Sequence, residues 1–186
     1  MEISEVSKNN KLLVDGVPYA VESINFVKPG KGRAIYRMKL RNLLTGTLSE
    51  PTYHSGDKFD EASISVRDMQ YLYEEHGHYH FMDTESFEQY IMEEANVSDK
   101  KFYLKDSLSM QLMMWEDKPI DLILPKAVEL AVVETEEAMK GATVTAQQKT
   151  ARMETGLEMG VPPFIKEGDI IRVNTGTGTY VERVGG

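Results

Sequence analysis

Apolar and polar side chains alternate along much of this chain. In RAIYRMKLRNL (33–43), Ala34, Tyr36, Met38 and Leu40 fall on one side and Arg33, Ile35, Arg37, Lys39 and Arg41 on the other. That period of two is the mark of a half-buried strand. YAVESINFV (19–27) reads as a preceding strand. Pro29-Gly30-Lys31-Gly32 between them is turn chemistry, because proline fixes φ and glycine tolerates φ > 0. Lys31 is therefore expected at the tip of a β-hairpin. Further hairpins are predicted around His76-Gly77, Asp117-Lys118 and Gly176-Thr177-Gly178. Two short helices are expected between them. One is TESFEQYIMEEA (84–95), where Ser86 and Gln89 have capping-box spacing, and the other is TEEAMKG (135–141). Repeated hairpins with few helical patterns predict an all-β protein of small barrels.

Charge divides the chain. Its formal net charge is −9, but residues 1–63 carry +1, 64–127 carry −7 and 128–186 carry −3, counted from the sequence. With the grouping of strands, these changes predict three barrels spanning 1–63, 64–127 and 128–186, at the small end for independent domains. No clear internal repeat and no low-complexity linker is evident. Within the first segment, residues 28–41 hold six basic residues (Lys28, Lys31, Arg33, Arg37, Lys39, Arg41) and no acidic one. A polyanion would be attracted to this arm and repelled by the middle segment.

Composition narrows the chemistry. The chain has no cysteine, which excludes disulfides and thiolate metal sites and fits a reducing, cytoplasmic setting. Its longest apolar runs, Leu112–Trp115 and Leu130–Val133, fall far below the roughly 20 residues of a membrane span. MEISEVSKNN at the start lacks a signal-peptide layout. Without cysteine, with four histidines and no GxSxG, Walker or dinucleotide glycine pattern, no catalytic set is recognisable. His76, His78 and His80, with Glu74, offer a metal-enzyme alternative, set against the plainer reading of a hairpin rim with exposed histidines. Tyr71, Tyr73, Tyr79 and Phe81 could stack single-stranded RNA bases, as in a stand-alone OB-fold RNA-binding protein. At period two, most of them are expected in the core. The same holds for Trp115, Met110, Met113 and Met114 as core or inter-barrel packing.

Five stretches, FVKPGKGRA, LRNLLTGT, MQYLYEE, HFMDTESFEQY and KTARMETGLEMGVPPFIKEGDIIRV, resemble the motifs of bacterial elongation factor P in order and spacing, across essentially the whole chain. The resemblance implies a KOW/SH3-like barrel followed by two OB-fold barrels in an elongated, L-shaped, tRNA-like monomer. It implies binding to the ribosome between the P and E sites and promotion of peptide bond formation at consecutive prolines, by placing the CCA end of P-site peptidyl-tRNA. No enzyme activity, metal, cofactor or membrane is implied. By position, Lys31 matches the family's tip residue, the target of a lysine-tailoring enzyme, and Pro29, Gly30 and Gly32 shape its loop. Lys28, Arg33, Arg37, Lys39 and Arg41 match backbone contacts to RNA. The loop Lys140 to Ala151, with Gly141, Ala142 and Thr143, would face the E-site codon. Initiation factor five-A shares the lysine hairpin but has two barrels, and residues 128–186 argue against it. The chain departs from the family pattern in three places. Ala142, Gln147 and Gln148 stand where an acidic residue and glycines are common, Gly176 stands for an arginine, and Met159 stands for leucine or a β-branched residue.

Overall fold

The computed structural model describes residues 1–30, 32–136 and 148–185. The predicted alternation is realised as strands. Lys11–Val14 (β1), Val17–Val27 (β2), Ile35–Asn42 (β3), Leu48–Ser49 (β4), Thr52–His54 (β5) and Asp60–Glu61 (β6) form an antiparallel sheet of order β4-β3-β2-β1-β6, in which β5 also pairs β3. Ile64–Glu75 (β7), His78–Asp83 (β8), Gln89–Glu93 (β9), Ser109–Trp115 (β10) and Lys118–Ile123 (β11) form a sheet of order β11-β10-β7-β8-β9. Ala127–Thr135 (β12), Lys149–Met153 (β13), Glu158–Val161 (β14), Ile170–Asn174 (β15) and Thr179–Gly185 (β16) form a third, of order β14-β13-β12-β15-β16. Its outer strands β14 and β16 come into contact, so this sheet curls toward a barrel.

The chain divides into two compact units, Met1–Arg67 with Leu112–Asp121 and Asp68–Gln111 with Leu122–Gly186. The first is built on Ile3, Val6, Leu12, Val21, Met38, Leu40 and Phe59. In the second, Val128, Leu130, Val132, Met153, Met159, Val161, Ile165, Ile171 and Val173 form a core against which Tyr103 and Leu108 pack. Met159 is thus an apolar filler in a closed core, a role its flexible thioether suits. Tyr71, Tyr79 and Phe81 are buried, with Tyr71 ring centroids 5.7 Å from Phe81 and 6.4 Å from Tyr79. Burial, and after it the neighbouring Tyr79, push the Tyr71 phenol up to about 12. These three aromatics are core, as their period suggested. Tyr73 is different: it is exposed and stacks on His80 at 4.4 Å.

The expected helix over 84–95 does not form. Asp83 intervenes: its Oδ1 accepts the backbone N–H groups of Glu85 (2.8 Å) and Ser86 (3.0 Å), and its carbonyl accepts that of Phe87 (3.0 Å). Phe87 then takes φ +61, which reverses the chain into β9. Ser86 Oγ accepts the Glu88 N–H at 3.3 Å, where a capping box would have tied it to Gln89. In this region helical backbone begins only at Glu94–Val97 (α1), followed by a 3-10 stretch Ser98–Tyr103. A local side-chain-to-backbone turn has outcompeted a helical pattern. Of the second expected helix, Thr135 lies in β12 and 137–141 lie outside the described residues.

The same turn recurs in each sheet. Asn42 Oδ1 accepts from Leu44 (2.8 Å) and Thr45 (3.1 Å), and its carbonyl accepts from Gly46. Asn174 Oδ1 accepts from Gly176 (2.9 Å) and Thr177 (3.0 Å), and its carbonyl accepts from Gly178. The fifth residue has positive φ each time: Gly46 +74, Phe87 +61 and Gly178 +68. NLLTGT, DTESFE and NTGTGT are therefore one six-residue hairpin turn written three ways, a geometric repeat that the residue letters conceal. Gly176, at the position of the family's arginine, donates its N–H within this turn.

The DTESFE turn carries a side chain where the other two carry glycine. A Cβ residue in left-handed backbone costs roughly 1–2 kcal/mol, and glycine's extra freedom when unfolded offsets about 0.5–1 of that. Phe87 is 68% exposed, so its ring contributes little burial. Phe87→Gly should therefore raise stability by about 0.5–1 kcal/mol. Gly46→Ala, whose Cβ would meet nothing within 4 Å, should lower it by a similar amount. Urea unfolding of the two variants checks both signs.

Candidate nucleic-acid interface

Strands β2 and β3 form the predicted arm. Their register pairs Val27 with Ile35, Phe26 with Tyr36, Asn25 with Arg37, Ile24 with Met38 and Ser23 with Lys39. Every one of these pairs is equidistant from position 31, so the lysine occupies the midpoint of the loop in sequence. Lys31 itself lies outside the described residues, as do Gly141, Ala142 and Thr143. A bulge between Val21 and Ser23 marks the base of the arm. From there five paired residues carry the chain about 17 Å outward at ~3.4 Å per residue.

The alternation along β3 sorts the side chains. Met38 and Leu40 are buried on one face, while Arg37 and Arg41 are exposed and Lys39 half-buried on the other. Lys28 and Arg33, flanking the loop, are exposed. Among the described residues, Lys28, Arg33, Arg37 and Lys39 have no ion pair and no side-chain hydrogen bond. No acidic residue occurs between Glu22 and Glu50. Four cations are thus held at one end of a module without an ion pair among the described residues, Lys39 alone lying within electrostatic reach of Glu22.

Arg41 belongs to a different arrangement. Its Nε donates to Glu22 Oε1 at 2.7 Å and its Nη1 to the Gly46 carbonyl at 3.3 Å. The Arg41 hydrogen bond holds the Glu22 carboxyl below the usual carboxylate range. Arg41 therefore ties the bulge to the neighbouring turn, and its charge is offset within the chain.

The loop uses its two glycines unequally. Gly32 has φ +121, a region disfavoured for any residue with a Cβ, whereas Gly30 does not enter that region and a Cβ there would meet nothing within 4 Å. Pro29 touches the site of a Gly32 Cβ through its Cγ, at 3.8 Å.

An aromatic row escaped the sequence reading. Phe26 and Tyr36 are cross-strand neighbours with ring centroids 5.0 Å apart, Tyr36 is opposite Tyr53, and Tyr53 meets Phe59 edge-on at 4.8 Å. Phe26 remains 55% exposed at the outer end, while Phe59 is buried at the inner. The signal was present, since positions 26 and 36 are symmetric about Lys31.

Other candidates disperse. His76 occupies a turn with φ +51, His78 Nδ1 lies 3.2 Å from the His76 carbonyl, and His80 stacks on Tyr73. Among the described residues no group of three or more His, Asp or Glu is placed to hold a metal. The Tyr73–His80 pair lies among Glu74, Glu75 and Glu93, the wrong sign for a phosphate chain. In the third sheet, Lys149 donates to the Glu136 carbonyl at 2.9 Å and Arg152 pairs with Glu134. No helix among the described residues is long and apolar enough to cross a membrane.

A small β-module with a basic hairpin, followed by further β-sheet modules, has the make-up of a translation factor, and the comparisons agree. Family models match in order: the elongation factor P KOW-like domain over residues 2–59, the elongation factor P OB domain over 64–122, and the elongation factor P C-terminal domain over 128–183. Elongation factor P of Desulfatibacillum aliphaticivorans is 46% identical over 97% of this chain and 96% of its own. Elongation factor P 2 of Geobacter sulfurreducens is 45% identical over 99% and 98%. Among solved structures, the eukaryotic translation initiation factor 5A from Methanococcus jannaschii superposes with a TM-score of 0.55 at 18% identity, over 66% of this chain and 92% of its own. That likeness concerns the fold alone, and it leaves about a third of this chain unmatched. The chain belongs to the elongation factor P family and is a translation elongation factor.

The unequal glycines are separable by mutation. Gly32→Ala should strain the loop by about 1–3 kcal/mol and shift the backbone amide resonances of Lys28 to Ala34. Gly30→Ala should leave them in place. Equal perturbation by both would contradict the backbone assignment.

Proposed function

We propose that this factor binds the ribosome between the P and E sites and promotes peptide bond formation at consecutive prolines, with Lys31 holding the CCA end of P-site peptidyl-tRNA. The observation that carries this reading is the arm: four cations without internal partners, on a hairpin whose register centres on Lys31. Lysine suits such a tip, since a compact cation on a flexible stem can donate to phosphate and sugar oxygens in a narrow RNA-lined site. Proline's ring restricts both the nascent chain and the attacking amine. Fixing the donor end in a reactive geometry removes an orientation penalty, and such placement is worth several kcal/mol in well-oriented systems, on the order of 7–11 at most. The factor acts by placement and is not itself an enzyme.

In this reading Lys28, Arg33, Arg37 and Lys39 bind RNA backbone, and Arg41 secures the base of the arm. Residues 1–63, 64–127 and 128–186 act as three barrels of a cytoplasmic monomer, a division supported by the three sheets and the three matched domains. The loop containing Gly141, Ala142 and Thr143 faces the E-site codon, supported by its position in the third domain.

Toeprinting on a Pro-Pro-Pro message tests the function. The factor carrying its native modification should relieve the pause, and Lys31→Ala should abolish relief while unfolding at the same urea midpoint as the wild type. An unrelieved pause, where another family member relieves it, would sink the proposal. Retained relief by Lys31→Ala would remove the lysine from its role.

Lys31 is also the expected target of a lysine-tailoring enzyme. Its neighbours Gly30 and Gly32 are exposed and carry no side chains to shield the amine. A longer side chain with added donors would reach further along the CCA backbone. Intact mass of the Lys31 peptide from the native host should exceed the unmodified value, and an unshifted mass in cells making polyproline proteins would refute it.

A further inference from the structure

Arg37 and Lys39 occupy one face of the arm and leave its opposite face unexplained. There Phe26 presents a ring that is 55% exposed, on the outer strand of the arm, where order runs β5-β3-β2. The ring is not loosely held. Tyr36 backs it at 5.0 Å with a 54° tilt, Tyr53 lies across from Tyr36, and Phe59 anchors the row in the buried core. Single exposed apolar side chains are common on protein surfaces, and Phe87 and Phe164 are at least as open as Phe26. Phe26 differs in being braced by a second ring on an arm whose cations make no ion pair among the described residues. Lys28 follows two positions on, about 7 Å along the chain, and has no ion pair among the described residues.

We propose that Phe26, braced by Tyr36, is a stacking site for one unstacked nucleobase of the RNA that the arm enters, with Lys28 beside it for the phosphate of that nucleotide. Charge complementarity selects RNA as the occupant, since no carboxylate occurs from Ser23 to Ser49 and the opposite face carries Arg37 and Lys39. Every base offers a π-face, so such a site adds affinity and orientation without requiring a particular sequence. The arm then grips RNA from both sides, backbone on one and base on the other. This inference rests on the reading that the arm docks on ribosome-associated RNA.

The test compares Phe26→Ala, Phe26→Leu and Phe26→Tyr for affinity to ribosomes carrying P-site tRNA at fixed salt, together with chemical probing of base reactivity in the bound complexes. Leucine keeps the apolar contact with Tyr36 but cannot stack, and tyrosine can. Alanine and leucine should each weaken binding about 5- to 100-fold, while tyrosine stays within about twofold. One nucleobase protected by the wild type and by Phe26→Tyr should become reactive when Phe26→Ala or Phe26→Leu is bound at saturation. Wild-type affinity for Phe26→Leu would reduce the ring to hydrophobic packing and overturn the proposal. Unchanged base reactivity on Phe26→Ala would do the same by assigning the ring to a protein surface. Should the alanine variant fold poorly, the leucine and tyrosine pair still decides. Arg37→Glu separates the layers: if it weakens binding and lowers the salt slope while Phe26→Ala does neither, only the stacking site falls. If Arg37→Glu is also silent, the docking of the arm falls with it.

Discussion

The register of β2 against β3 is the constraint on which the rest depends. Because side chains alternate strictly, a slip of one residue would send Met38 and Leu40 to solvent and bring Arg37 and Arg41 into the core. Burying Met38 and Leu40 contributes about 1.5–3 kcal/mol each, and an unpaired buried arginine costs several more. The core thus locks the register, and the register in turn fixes three things at a distance from the core. Position 31 falls at the midpoint of the loop, Arg37 and Lys39 fall on one face, and Phe26 falls opposite Tyr36. A functional arm is specified by residues that never reach its tip.

Charge is organised by the same economy. The middle segment carries −7 and the arm has no carboxylate between Glu22 and Glu50. Exposed charges act over a Debye length of about 8 Å at physiological salt, and the arm offers a phosphate Lys28, Arg33, Arg37 and Lys39 with no carboxylate of its own. The carboxylates elsewhere are often engaged: Glu22 with Arg41, Glu94 with Lys101, Glu134 with Arg152, and Glu129 and Glu182 with Arg172. Exposed pairs of this kind contribute little stability. Their larger effect is to leave the free positive charge concentrated at the hairpin, where it orients the approach to a polyanion.

What the sequence disclosed was what period two controls. The β2–β3 hairpin, the buried Tyr71, Tyr79 and Phe81, and the basic face of β3 all follow from alternation and turn chemistry. The failures come from interactions that periodicity does not encode. Residues 84–95 have a helical pattern, yet Asp83 caps the preceding strand with three hydrogen bonds and Phe87 accepts left-handed backbone. The shared turn of NLLTGT, DTESFE and NTGTGT is invisible as a repeat because an asparagine oxygen and an aspartate oxygen do the same work, and because phenylalanine stands where glycine is expected. The loss of Arg41 from the free cations needed the distance to Glu22, which lies nineteen positions away. The third-domain loop, with Gly141, Ala142 and Thr143, stays a matter of positional likeness.

The arm also separates stability from function in a way the barrel cores do not. Cations without partners, glycines flanking a lysine and an aromatic ring left open to solvent contribute little to folding, and each would be replaced if folding alone were optimised. Met38 and Leu40, each one position from a cation, are fully buried and contribute chiefly to the fold. Alternation thus interleaves two sets of residues along one strand, one answerable to the core and one, in the proposed function, to the polyanion. Because they point to opposite faces, either set can change without forcing a change in the other. A tip whose chemistry varies can therefore be carried on a barrel whose packing does not.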